Sequence, residues 1–108
     1  MLIELSITPL GRGTHLSREL ADILKIIDDS HVRYCLTPFG TCLEGEWAEV
    51  MAIVKRCHDQ ARSVSKHVLT TIRIEDEDGV NDKLIANVAS VERAVARKLQ
   101  REVLVESE

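Results

Sequence analysis

LTPFGTCLEGEW, residues 36–47, decides how this chain folds. Pro38, Phe39 and Gly40 are turn residues, and residues suited to extended backbone flank them on both sides. Val32–Thr37 and Thr41–Glu44 therefore read as the two arms of a hairpin. The same twelve residues carry the chain's only Phe and Trp, two hydroxyls and carboxylates, so the hairpin is also a candidate rim for a binding site.

Outward from the hairpin, the hydrophobic period alternates between strand and helix. Upstream, Leu16–Ser30 places Leu16, Leu20, Ile23, Leu24 and Ile27 on one helical stripe, with Thr14 as the expected N-cap. Before that helix, Leu2–Thr8 alternates strictly: Ile3, Leu5 and Ile7 on one face, Glu4, Ser6 and Thr8 on the other. Pro9 is expected to end that strand. Downstream, Glu46–Val64 is a second helix whose buried seam is expected to be Trp47, Val50, Val54, Cys57 and Ala61. His67–Glu75 follows as a strand with Val68, Thr70, Ile72 and Ile74 on one face. After the acidic turn EDEDG, Asn81 or Asp82 caps a third helix with Leu84, Val88, Val91, Val95 and Leu99 aligned. The tail REVLVESE either frays or docks.

The order β-α-β-β-α-β-α is that of an α+β protein. Its first six elements are the split βαβ of ferredoxin-like folds: a four-stranded antiparallel sheet with helices on one face, here followed by an extra C-terminal helix. The opposite face of the sheet is then open. It should carry Glu4, Ser6, Thr8, Thr71 and Arg73, with Cys42 and Glu44 from the hairpin; Cys35 and Thr37 join them if Tyr34 and Leu36 face the core. Such a mixed face is neither fully solvated nor a core, and homo-oligomerisation is the simplest cover.

Bulk properties set limits. The 108 residues suit a single domain over 1–108, and 44% hydrophobic with 30% charged residues suits a soluble protein with one core. The net charge of −4, with scattered Lys and Arg, argues against a nucleic-acid track. No apolar run is long enough to span a bilayer, and residues 1–10 lack a basic secretory start. Three cysteines without CxxC spacing fit reduced thiols in a cytoplasmic protein. The histidines lack zinc-ligand spacing, so no metal is expected, and no phosphate-loop motif occurs.

Among single residues, Cys57 and His58 are neighbours on a helix and point about 100° apart, which does not pair a nucleophile with a base. Glu4 and Glu44 either pair with Arg73 across the sheet or face a cationic ligand. Core packing is favoured over ligand stacking for Trp47; Tyr34 and Phe39 stand evenly between the two.

SITPLGRGTHLS, YCLTPFGTCLEGEW followed by EV, KRCH in a helix and VLTTIRIED together resemble the thiamine-binding protein family, from about Ile3 to Leu99. The family's usual form has Met where this chain has Phe39, and EDEDGVND is acidic where the family often has a basic stretch. The resemblance implies a homotetramer built from dimers packed sheet to sheet. It also implies non-catalytic binding of thiamine or its hydroxymethylpyrimidine moiety at an oligomer interface beside the hairpin. A flat aminopyrimidine and a thiazolium cation would call on Ser6, Thr8, Thr37, Thr41 and Glu44 as polar groups, with Tyr34 and Phe39 as flat surfaces around the Gly40 turn. The leading expectation is a binding protein acting as carrier, buffer or sensor, with no cofactor. The alternatives are a structural or regulatory oligomer without ligand and, last, an enzyme using Cys35 or Cys42.

Overall fold

A computed structural model describes residues 1–13 and 16–103. The elements are β1 (Leu2–Pro9), α1 (Ser17–Asp29), β2 (Arg33–Thr37), β3 (Gly40–Glu44), α2 (Trp47–Val64), β4 (Val68–Glu75) and α3 (Lys83–Val95). All pairings in the sheet are antiparallel, in the order β2-β3-β1-β4. This is the α+β, ferredoxin-like arrangement read from the sequence, with the third helix added. Thr14 lies outside the described residues.

The alternation in β1 fixes the layers. Ile3, Leu5, Ile7 and Pro9 are buried toward α1 and α2, while Leu2, Glu4, Ser6 and Thr8 face the other way. The register carries this parity across the sheet: Leu43 and Thr41 lie opposite Ile3 and Leu5, and Ile74, Ile72, Thr70 and Val68 follow on β4. Against this face α1 buries Ile23 and Ile27, and α2 buries Val50, Ile53, Val54, Cys57 and Ala61. Deleting a side chain as enclosed as Ile3 or Leu43 to Ala costs about 2–5 kcal/mol. The open face carries Glu4, Ser6, Thr8, Cys42, Glu44, Thr71 and Arg73, as the alternation required.

Burial falls away at the margins, and the expected place of Trp47 in the seam fails there. Trp47 is 58% exposed, and Ile53 takes the seam position instead. Trp47 is the first residue of α2, where the helix has only begun to cross the sheet, so its side chain overhangs the edge. Tyr34 and Leu36 point toward the helices but remain exposed, Leu36 by 62%, because β2 is the edge strand and neither helix reaches over it. The Tyr34 hydroxyl donates to Asp28 at 2.7 Å. Finally, α3 buries no residue at all: Ile85, Val88, Val91 and Val95 are exposed.

The strands differ in length, and this matters for the site. All eight residues of β1 pair with β4, but only Leu2–Leu5 pair with β3. Peptide groups alternate sides along a strand. The Leu10 N–H donates to the His67 carbonyl on the β4 side, and the Gly45 N–H donates to the Met1 carbonyl on the β3 side. Odd-numbered residues of β1 therefore turn their peptides toward β3. Pro9, which has no N–H, sits where that side has no partner strand.

Two predictions test this packing. A Cβ on Gly40 would lie 2.6 Å from the Leu5 carbonyl oxygen, a backbone atom. Gly40→Ala should lower stability by about 1–3 kcal/mol in urea titration, and an unchanged midpoint would contradict the close approach. Cys57 is fully buried, and burial pushes its thiol up to about 11. Because the thiolate is the reactive form, at about pH 8 the exposed Cys35 should react quickly with an aromatic disulfide while Cys57 reacts only as the protein unfolds. Equal native rates would place Cys57 outside the core.

Candidate functional site

Where β1 outruns β3, the hairpin turn and α1 close a hollow of ≈260 Å³. Leu5 and Ile7 of β1, Thr41 of β3 and Leu20, Ile23, Leu24 and Ile27 of α1 make its walls, with Leu36, Phe39 and Gly40 at the rim. Among the described residues, no lining side chain is charged. The hollow exists because the turn spans only Pro38 and Phe39, so β3 cannot run alongside Ser6–Pro9.

The turn is held rigidly. The Thr37 hydroxyl donates to the Gly40 carbonyl at 2.9 Å and accepts the Phe39 N–H at 3.3 Å. Neither Pro38 nor Phe39 takes a positive φ, so the turn is not of the mirror-image type common in two-residue hairpins. Phe39 is 88% exposed at the tip.

Thr41 is the unusual residue of this hollow. It is only 4% exposed and lies on the helix-facing side of the sheet, among Leu5, Ile7, Ile23 and Ile27. It borders the hollow. On the helix-facing side of β3 the register places Thr41 and Leu43, and Thr41 is the polar one.

Of the eight residues expected at a site, the structure brings six to this hollow: Ser6, Thr8, Thr37, Phe39, Gly40 and Thr41. Ser6 and Thr8 border it from the strand edge. Tyr34 and Glu44 lie elsewhere. The apolar α1 side of the hollow, and Ile7 with it, was absent from the expected set, although the α1 stripe was legible as a helix face.

Glu44 stands at the far end of β3 and is buried on the open face. Its Oε2 accepts the Leu84 N–H at 3.3 Å, so it caps α3, whose own N-cap residue Asp82 makes no side-chain hydrogen bond. Neither Asn81 nor Asp82 does the capping. The Arg33 guanidinium lies 3.6 Å from the other oxygen. Glu4 pairs with Arg73 at 3.2 Å. Lys83 and Asn87 reach from α3 to Glu75, and those bonds hold the Glu75 carboxyl below its usual range. Cys35 and Cys42 face each other on the open side, both free, and neither borders the hairpin hollow. A second hollow of ≈360 Å³ lies on the open face beside α3, spanned by the Glu4–Arg73 pair. No three His, Cys, Asp or Glu side chains among the described residues could hold a metal, and no described helix is long and apolar enough to cross a membrane.

A family model described as thiamine-binding protein matches residues 3–92. A UPF0045 protein of Mycobacterium bovis is 32% identical over 98 residues, covering 90% of this chain and 96% of its own. Two solved structures share the fold, each with a TM-score of 0.72. One is a hypothetical protein of Methanocaldococcus jannaschii, 21% identical, covering 90% of this chain and 96% of its own. The other is a Thermotoga maritima protein assigned provisionally to thiamine biosynthesis or salvage, 19% identical, covering 83% of this chain and 96% of its own.

The capping role of Glu44 is testable. Glu44→Ala removes a cap worth about 0.5–2 kcal/mol and should speed amide exchange in α3 while leaving the sheet intact. Unchanged exchange from Leu84 to Val88 would show that the helix is held by other means. Acid should loosen the same helix. The Glu75 carboxyl is lowered from 4.5 by its bonds to Asn87 and Lys83, so its contribution is complete above that ordinary value and disappears as pH falls through the lowered one.

Proposed function

The chain belongs to the thiamine-binding protein family, and we propose that it binds thiamine or its hydroxymethylpyrimidine moiety in the hollow beneath the β2-β3 hairpin, without catalysis. The observation that carries this reading is the hollow itself, an apolar space of ≈260 Å³ with the Thr41 hydroxyl at its border. Ligand sites are mostly apolar with a few placed polar groups, and the hollow is smaller than the roughly 300–1,000 Å³ usual for drug-sized molecules. One aromatic ring with small substituents suits it. Phe39 at the mouth offers a face for stacking, worth about 0.5–1.5 kcal/mol. The provisional assignment of the Thermotoga maritima neighbour to thiamine metabolism points in the same direction.

The open face of the sheet and the exposed stripe of α3 support a separate proposal of self-association, a homotetramer built from dimers in which sister sheets cover one another. The hairpin hollow lies on the helix side of the sheet. In this reading each chain holds its own ligand, and assembly does not complete the site. Three thiols kept reduced fit action in the cytoplasm as carrier, buffer or sensor. The alternative, a structural or regulatory oligomer without ligand, draws on the same exposed α3 stripe.

Thr41→Val separates the two. It keeps the shape and removes the hydroxyl. If the hydroxyl serves a ligand, stability should hold or rise while calorimetric affinity for the pyrimidine falls about tenfold. Loss of stability with no ligand heat from the unmodified protein at about millimolar concentration, a weak-binding limit of roughly −4 kcal/mol, would favour the oligomer without ligand.

A further inference from the structure

The hollow has a second polar feature besides Thr41. Odd-numbered residues of β1 direct their peptides toward β3, and the ladder on that side stops at Leu5 opposite Thr41. Ile7 is the next odd residue. It borders the hollow, no β3 residue pairs with it, and its peptide N–H and C=O have no backbone partner on that side among the described residues. Phe39, the next position along the hairpin, gives its own N–H to the Thr37 hydroxyl. Ile7 is 8% exposed as a residue, and its peptide edge faces the hollow. Peptide groups seek a partner, and this pair is open to whatever enters the hollow, water or ligand.

In extended backbone the N–H and C=O of one residue point the same way, as a donor beside an acceptor. A 4-aminopyrimidine carries the complement: an amino donor beside a ring-nitrogen acceptor. We propose that the Ile7 peptide edge reads this pair on an uncharged aminopyrimidine, with the Thr41 hydroxyl bonding a further polar atom of the ring or its substituent. The inference rests on the function proposed above and specifies its ligand. The lining has no carboxylate, and burying an unpaired cation in apolar surroundings is costly, so a thiazolium part stays outside the hollow. Glu44 lies at the other end of β3, where its Oε2 accepts the Leu84 N–H.

The test is a titration of the isotope-labelled full chain followed by amide resonances. The probes are 4-amino-5-hydroxymethyl-2-methylpyrimidine, its analogue with methyl in place of the amino group, and its 4-oxo analogue, which reverses donor and acceptor. The aminopyrimidine should shift the Ile7 amide and slow its exchange at least about tenfold, and both analogues should bind at least about tenfold more weakly. Thiamine should gain little over the pyrimidine alone. If the aminopyrimidine perturbs Leu36, Phe39 and Thr41 while Ile7 exchanges as before, or if the analogues bind equally, the Ile7 edge is overturned and the binding function stands. A thiamine affinity more than about tenfold above that of the pyrimidine overturns the uncharged-ligand assignment. No binding by any probe overturns both the edge and the function on which it rests.

Discussion

The missing side chain at Gly40 governs much of this molecule. Its backbone runs so close to the Leu5 carbonyl that no other residue fits without displacing a strand. That approach lets the hairpin turn back immediately after Thr37 and ends the β1-β3 ladder at Leu5. The remaining half of β1 keeps β4 on one side and has no strand on the other. A longer hairpin would complete the sheet and fill the space under α1 with its own residues. The short one exchanges several ladder hydrogen bonds for a hollow, and the α1 stripe becomes a wall where it would otherwise be covered.

The fold was legible because its signals are local and repetitive. Strict alternation in β1 and β4, 3.6-residue spacing in α1 and α2, and a Pro-Phe-Gly turn leave little choice of topology. Errors gathered where burial depends on what lies beyond an element. Trp47 fits the α2 seam by spacing but sits on its first turn, past the edge of the sheet. Tyr34 and Leu36 have the parity of core residues on a strand that no helix covers. The candidate hollow was legible only in part. Side-chain chemistry and the family resemblance pointed to Ser6, Thr8, Thr37, Phe39, Gly40 and Thr41. The Ile7 peptide has no signature in a sequence, since every residue except proline carries the same groups. Its availability follows from strand lengths, which become visible only with the register.

Glu44 illustrates how one side chain serves different ends depending on what reaches it. By type and parity it suited a cationic ligand or a partner for Arg73. The structure instead joins it to the first turn of α3, where exposed N–H groups and the helix dipole both favour a carboxylate. This bond links the helix to the sheet across 40 residues of sequence. Lys83 and Asn87 add exposed tethers to Glu75, and none of these contacts buries an apolar side chain of α3. The helix is therefore attached by polar groups at one end, while Ile85, Val88, Val91 and Val95 stay exposed.

The bonds of Thr37 within the turn bear on the thermodynamics of the proposed ligand capture. A phenyl ring on a slack loop would lose its freedom at the moment of encounter, and that loss would subtract from affinity. Here the turn is clamped on both sides by one hydroxyl, so the backbone that carries Phe39 is ordered when the chain folds. For the ligand proposed above the entrance would be preorganised: an arriving ring would give up its own tumbling and little else, and the protein would contribute stiffness in place of adaptation.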